Sequence, residues 1–296
     1  MSNRNDDSAG VLSRRRALRR IGGGLVLLPT VGCGENMLSL DGSSDRDGSV
    51  MIVPDGAAQD AGADGALDGR VDGRTDAEVP DAWASGGTAA MTDGASYPDP
   101  FSPLPAVCDA TRSATLGPCF DTSPARRDIS EGYPGLPLRL ALRVVDSICT
   151  PLEGVRVDVW HTRNSGVYSG SVLRCSLGDE DAMASLYFRG TQTTDDRGQV
   201  GFDSCFPGWY GGRAIHIHCQ VFVANEDNPA LITQLFFPAP LITEIFSTHV
   251  DYRDFGQPDT LNDDDRTYRS VDAAGTVEYA RMTDGAMLAW KDIVLP

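Results

Sequence analysis

Beyond residue 101 the dominant pattern is strict alternation of apolar and polar positions over short runs. Leu138, Leu140, Leu142 and Val144 alternate with Arg139, Ala141 and Arg143, and Val155, Val157 and Val159 alternate with Arg156, Asp158 and Trp160. Successive strand side chains point to opposite faces, so each run predicts a strand that turns one face to a core. Cys149-Thr150-Pro151-Leu152-Glu153-Gly154 reads as the turn region between these two runs, and Asp195-Asp196-Arg197-Gly198 as a turn into a strand over 199–205. Further strands are expected over 214–223, 231–237 and near 287–295. An irregular insertion reaches about Leu186, and the tail after Tyr252 is acidic and loop-like. No long helical period is present. Short strands punctuated by Gly, Pro, Asp and Asn predict an all-β domain, a sandwich or barrel, over 101–296.

The run from Ala214 to Val223 carries the candidate chemistry. Ile215, Ile217, Cys219, Val221 and Val223 fall on one face, and Ala214, His216, His218, Gln220 and Phe222 on the other. His216 and His218, two of only four histidines, therefore stand side by side as a possible metal chelate. A Pro207-Gly208 turn delivers Tyr210 just ahead of them, with Arg213 between. The residues alone leave two readings open, because an antiparallel strand with one wet face also places polar residues at alternate positions.

Composition divides the chain into three parts. Residues 1–34 read as an export signal: Ser13-Arg14-Arg15-Arg16-Ala17-Leu18-Arg19 resembles a twin-arginine motif, and the apolar stretch 21–32 is too short to span a membrane. Thr30-Val31-Gly32-Cys33 resembles a lipoprotein cleavage box, which leaves open a membrane tether through Cys33. Residues 35–100, rich in Asp, Gly and Ala, are expected to be a disordered linker. Fourteen acids against three arginines place most of the net charge of −17 there, so the charge says little about the folded domain. No basic stretch points to nucleic acid. The expected address is exported, periplasmic or cell-surface. Six cysteines lie beyond the linker, Cys108, Cys119, Cys149, Cys175, Cys205 and Cys219. An even number in an exported domain predicts disulfides with no free thiol, in a pairing the sequence does not choose. The absence of Cys-x-x-Cys argues against a thiolate metal site.

Several ordered motifs then converge. Arg127-Asp128-Ile129 with Glu131-Gly132, Pro151-Leu152-Glu153-Gly154-Val155-Arg156-Val157-Asp158-Val159-Trp160-His161, Gly166-Val167-Tyr168-Ser169-Gly170, Phe188-Arg189-Gly190 with Thr194-Asp195, Pro207-Gly208-Trp209-Tyr210, Arg213 and His216-Ile217-His218 together resemble the intradiol ring-cleavage dioxygenases of the catechol and protocatechuate type. The resemblance covers residues 107–250. It implies a β-sandwich catalytic domain, here an exported variant, and one non-haem ferric ion, Fe(III), held by Tyr168, Tyr210, His216 and His218. It implies that Tyr210 is the displaceable ligand and proton acceptor, that Arg213 stabilises negative charge on the ring, and that Gln234 lines the pocket. The implied substrates are a small aromatic diol and dioxygen, and the implied product a muconate-type diacid. Two departures stand out: Gly117-Pro118-Cys119-Phe120 replaces the family's Gly-Pro followed by aromatics, and the linker stands where catechol-type members carry a helical dimerisation region.

Two competing readings remain. A non-enzymatic surface β-sandwich binding module accounts for 152–202, the tether and the disulfides, but not for Tyr168, Tyr210, Arg213, His216 and His218 being present together. A zinc hydrolase lacks its usual His/Glu set. His161 and His249 are expected to be structural, since neither has a partner in its own stretch.

Overall fold

The alternating runs become two four-stranded sheets packed face to face, in a computed structural model that describes residues 82–223 and 226–296. The strands are β1 (Pro137–Val145), β2 (Arg156–Trp160), β3 (Arg189–Thr193), β4 (Gln199–Cys205), β5 (His216–Phe222), β6 (Leu231–Phe236), β7 (Glu278–Arg281) and β8 (Met287–Val294). One sheet has the order β4-β1-β8-β7 and the other β3-β2-β5-β6. Only the β1–β8 pair is parallel among these neighbours. Leu138, Leu140, Leu142 and Val144 from one sheet meet Val157, Val159, Ile217, Cys219 and Val221 from the other in a single apolar core. This is an all-β sandwich, one of the two architectures the alternation predicts and the one the family resemblance implies.

The turn over 149–154 joins β1 to β2 as expected, but it passes from one sheet to the other rather than closing a hairpin. The Asp146 carboxylate organises its start by accepting the N–H groups of Ile148 and Thr150, at 3.0 and 2.8 Å. The insertion holds two short helices, α1 (Leu173–Ser176) and α2 (Glu180–Ala184). Besides the short helices of the insertion and the tail, three elements escape the sequence pattern, the first being β3, whose Arg-Gly-Thr-Gln-Thr has no apolar row. α3 (Ala239–Thr248) is ten residues long and buries Leu241, Ile242, Ile245 and Phe246, a period too brief to stand out behind Pro238 and Pro240. The edge strand β7 is half exposed and so lacks an apolar row. In the acidic tail, α4 (Arg266–Val271) is capped by Asp265, whose side chain accepts the N–H groups of Thr267 and Tyr268.

The folded body begins earlier than residue 101. Residues 82–101 lie against the sandwich: Trp83 Nε1 donates to Glu244 at 2.9 Å, Ala84 N–H to Gly285 O at 2.8 Å, and the Tyr97 hydroxyl to Asp284 at 2.7 Å. The Tyr97 and Phe101 rings receive the guanidiniums of Arg139 and Arg143, 5.0 and 4.7 Å from the ring centres. A few anchors spaced along an Asp, Gly and Ala background are invisible to average composition. The signal, Cys33 and the rest of the linker expectation fall on residues 1–81, outside the described residues.

The cysteines also depart from expectation. Cys108 pairs with Cys149 and Cys119 with Cys175, while Cys205 and Cys219 are free and buried. Cys219 sits in the main core and Cys205 in a separate cluster with Val167, Ala182, Tyr187 and Phe188. Both serve as small apolar residues, the ordinary role of a buried thiol. Burial pushes the Cys219 thiol up to about 12 and the Cys205 thiol higher still. Each disulfide closes a loop of 41 or 56 residues, which constrains the unfolded chain by about 4 kcal/mol.

Thiol titration of denatured, unreduced residues 82–296 should therefore find the two thiols of Cys205 and Cys219, both unreactive in the native state. Four or more would remove the disulfides. A chain shortened to begin at residue 102 should unfold at lower denaturant, with a loss on the order of 2–4 kcal/mol from the hydrogen bonds and ring contacts above. An unchanged midpoint would show that residues 82–101 add nothing.

Candidate active site

β5 is buried on both faces, which a wet-faced strand would not be. Its core face packs between the sheets; the opposite face carries His216 and His218 beneath a second layer made by loops. Trp160, opposite His218 in the β2–β5 register, stacks on that imidazole with ring centres 4.7 Å apart and planes 6° from parallel. Phe236, on β6, packs beside His216.

Tyr168 and Tyr210 reach this face from two loops that interlock at glycines. A Cβ on Gly166, where φ is +79°, would lie 1.9 Å from Trp209 O, and one on Gly208 would lie 2.3 Å from Arg163 O and Asn164 O. Only glycine allows the backbones so close. Gly208 N–H donates to Arg163 O at 3.2 Å, and the Thr162 hydroxyl to Gly208 O at 2.7 Å.

The side-chain ends converge tightly. Tyr168 Oη is 3.3 Å from His216 Nε2 and 3.1 Å from His218 Nε2. Tyr210 Oη is 3.3 Å from His216 Nε2 and 3.5 Å from Tyr168 Oη, and the two Nε2 atoms are 3.2 Å apart. All four predicted ligands are thus brought together. Donors spaced this way can share one ion at about 2 Å, the length of bonds from a transition metal to nitrogen or oxygen. Among the described residues, no group of three or more His, Cys, Asp or Glu side chains is arranged to hold an ion, so a centre here must draw on the phenol oxygens.

The protonation states suit that use. His216 Nδ1 lies 2.6 Å from Ala214 O, which fixes the proton on Nδ1 and leaves the Nε2 lone pair aimed inward. Burial, with Arg213 alongside, holds His216 down to about 3, and burial with His216 beside it pushes His218 well below its usual value. Both imidazoles are therefore neutral at ordinary pH. His218 Nδ1 is buried without a partner, so nothing competes for its ring orientation except stacking. Burial, and then Tyr210, raises Tyr168 well above the usual phenol range. Only a cation arriving at the oxygen would make it a phenolate.

Arg213 is held by a fork of partners. Its Nε donates to Asp265 at 2.8 Å, its Nη2 to Gln234 Oε1, and its Nη1 to Tyr210 Oη at 3.4 Å. Gln234, opposite His218 in the β5–β6 register, donates in turn to Thr115 O at 2.9 Å. Asp265 is 1% exposed and also accepts Ala214 N–H at 2.8 Å. Burial alone would raise its carboxyl, but the Ala214 N–H and Arg213 outweigh that and hold it below the usual range. Asp265 was not apparent from sequence. It sits among acids in a tail without alternation, and its only local signal is its position as the cap of α4.

His161 and His249 stand apart from the cluster, as expected. His161 Nε2 is 2.7 Å from Ser204 Oγ, and burial holds the ring down to about 4. His249 Nε2 donates to Ala84 O at 2.8 Å.

A family model described as Dioxygenase matches residues 115–271, more than half of the chain and every residue of the cluster. A chlorocatechol 1,2-dioxygenase of Rhodococcus opacus is 29% identical over 153 residues, 43% of this chain and 56% of that protein. The chain therefore spans about half the length of this curated relative. An intradiol ring-cleavage dioxygenase of Tetranychus urticae superposes with a TM-score of 0.57 at 26% identity, over 64% of this chain and 94% of its own. With motifs, sandwich and family match in agreement, this chain belongs to the intradiol ring-cleavage dioxygenase family.

Proposed function

We propose that the protein is an exported Fe(III) dioxygenase that opens a catechol ring between its two hydroxyl-bearing carbons. Both atoms of dioxygen enter the product, a muconate-type diacid. The observation that carries this reading is the convergence of two phenol oxygens and two imidazole nitrogens, spaced 3.1–3.5 Å apart in the five pairs given above. Ferric iron is hard and highly charged, so two anionic oxygens and two neutral imidazoles suit it. Bound there, it would supply Lewis acidity that drains electron density from the chelated diol and acidifies the phenols.

The protein's own residues have separable roles. Tyr168, His216 and His218 are fully buried and form the fixed part of the ligand set. Tyr210 is only partly buried and touches Arg213, so it is the ligand free to swing away and take a proton from a catechol hydroxyl. Arg213 then faces the negative charge that accumulates on the ring, with Asp265 and Gln234 keeping its fork in place. Leu116 and Val172 pack against the Tyr168 and Trp160 cluster and help keep water from this side of the site. A surface binding module would have no use for such an arrangement. In this reading residues 1–34 act as an export signal and the reaction takes place outside the cytoplasm.

Purified protein should carry about one iron per chain and be coloured by phenolate-to-iron charge transfer. Metal analysis and cleavage of a panel of substituted catechols test this, and a colourless protein inactive after iron loading would refute it. Tyr210→Phe should lose part of its iron, change its absorption band, and turn over roughly 10²–10⁴-fold more slowly, the usual effect of deleting a positioned proton acceptor. Tyr279→Phe, at an exposed ring remote from the cluster, is the matched control. A Tyr210→Phe variant with wild-type spectrum and rate would reduce Tyr210 to packing.

A further inference from the structure

The mechanism above makes no use of three groups around Tyr168: the Cys119–Cys175 disulfide, Arg189 and Asp121. The disulfide lies in the same apolar cluster as Tyr168, Trp160 and Tyr210. Tyr168 N–H donates to Cys175 O at 3.2 Å. At the other end of the bridge, Gly117 passes so close to His218 that a Cβ there would lie 3.0 Å from Cε1. One covalent bond thus ties the segment that backs His218 to the residue that accepts the Tyr168 amide.

Arg189 reinforces the same joint. It is 1% exposed and, among the described residues, forms no ion pair with a carboxylate. Its Nε donates to Ser169 Oγ at 3.0 Å and its Nη2 to Cys119 O at 2.8 Å; both also reach Ser169 O, and Nη1 has no partner. The charge it feels most is that of Asp121, which it does not bond directly, so its hydrogen bonds serve to fasten the backbone. What it joins is the residue immediately after Tyr168 and the carbonyl of Cys119. Two residues further along each segment, Asp121 accepts the Ser171 N–H and hydroxyl at 2.7 and 2.8 Å. Segments 117–121 and 168–175 are therefore fastened by a disulfide, a buried arginine and a carboxylate, all within a few residues of Tyr168.

We propose that the Cys119–Cys175 disulfide and Arg189 act as one clamp that positions Tyr168 against His218 and sets how firmly the centre keeps its metal. This rests on the reading of Tyr168 and His218 as ligands; Cys119, Cys175 and Arg189 are positioning residues. The departure Gly117-Pro118-Cys119 and the insertion that holds Cys175 are the two halves of this one device.

The test uses the full chain loaded with ferric iron and a hydroxamate chelator, reading the rate of iron loss, the phenolate absorption band and the denaturant midpoint of the iron-free protein. Cys119→Ala/Cys175→Ala should lose iron about 10- to 100-fold faster, the range for residues that orient metal ligands, with a shifted band. Cys108→Ala/Cys149→Ala opens a loop of similar size away from the cluster. It should lower the iron-free midpoint comparably while leaving iron loss and band within about twofold of the unaltered chain. Arg189→Lys keeps the charge but not the fork, and should speed iron loss as well. Equal iron loss from both cysteine pairs, or from neither, overturns the clamp. Should Cys119→Ala/Cys175→Ala fail to fold, Arg189→Lys decides, and iron loss within twofold of the unaltered chain overturns it. An unaltered chain that takes up no iron is a distinct failure, that of the dioxygenase reading itself.

Discussion

Two imidazoles and two phenols can crowd together in a buried place only if the polar atoms around them are already engaged. A buried donor or acceptor without a partner costs as much as several surface contacts supply. Here the accounting is nearly closed by neighbours in sequence and across the sheet. Ala214 O accepts the hydrogen bond of His216 Nδ1–H, Asp265 accepts those of the Ala214 N–H and Arg213, and Gln234 spans from Arg213 to Thr115. The four ends that face one another have each other as partners, with Arg213 Nη1 also reaching Tyr210 Oη. The sandwich positions His216 and His218, and the glycine-interlocked loops position Tyr168 and Tyr210.

How much of this was legible in the sequence follows from where each residue gets its instructions. β1, β2, β4, β5, β6 and β8 are written in alternation, and the resemblance to a known family placed Tyr168, Tyr210, Arg213, His216 and His218 in one site. Residues whose role is set by distant partners were not legible. Asp265 lies 52 positions from Arg213, and nothing local marks it out from the acids beside it. Counting cysteines anticipated that Cys108, Cys119, Cys149 and Cys175 are paired but could not tell that Cys219 is a core residue, although it sits in the apolar row of β5 beside Ile217 and Val221. The alternation that identified the strand also held the reason that this thiol is unpaired. Residues 82–101 were misread for the opposite reason: their composition is that of a linker, and only the individual contacts of Trp83, Tyr97 and Phe101 show otherwise.

The two faces of β5 have a further consequence for how this protein can fail. Ile217, Cys219 and Val221 look into the sandwich while His216, His218 and Gln220 look out of it. A shift of one residue in the pairing of this strand with β2 and β6 would turn imidazoles into the core and isoleucine into the centre. Folding and function are thus recorded in the same register, and the apolar row acts as a proofreading rule for the chemical one. A molecule of this design that is well packed also holds its two imidazoles together on the outer face, and one that is misaligned loses core packing and the histidine pair at once.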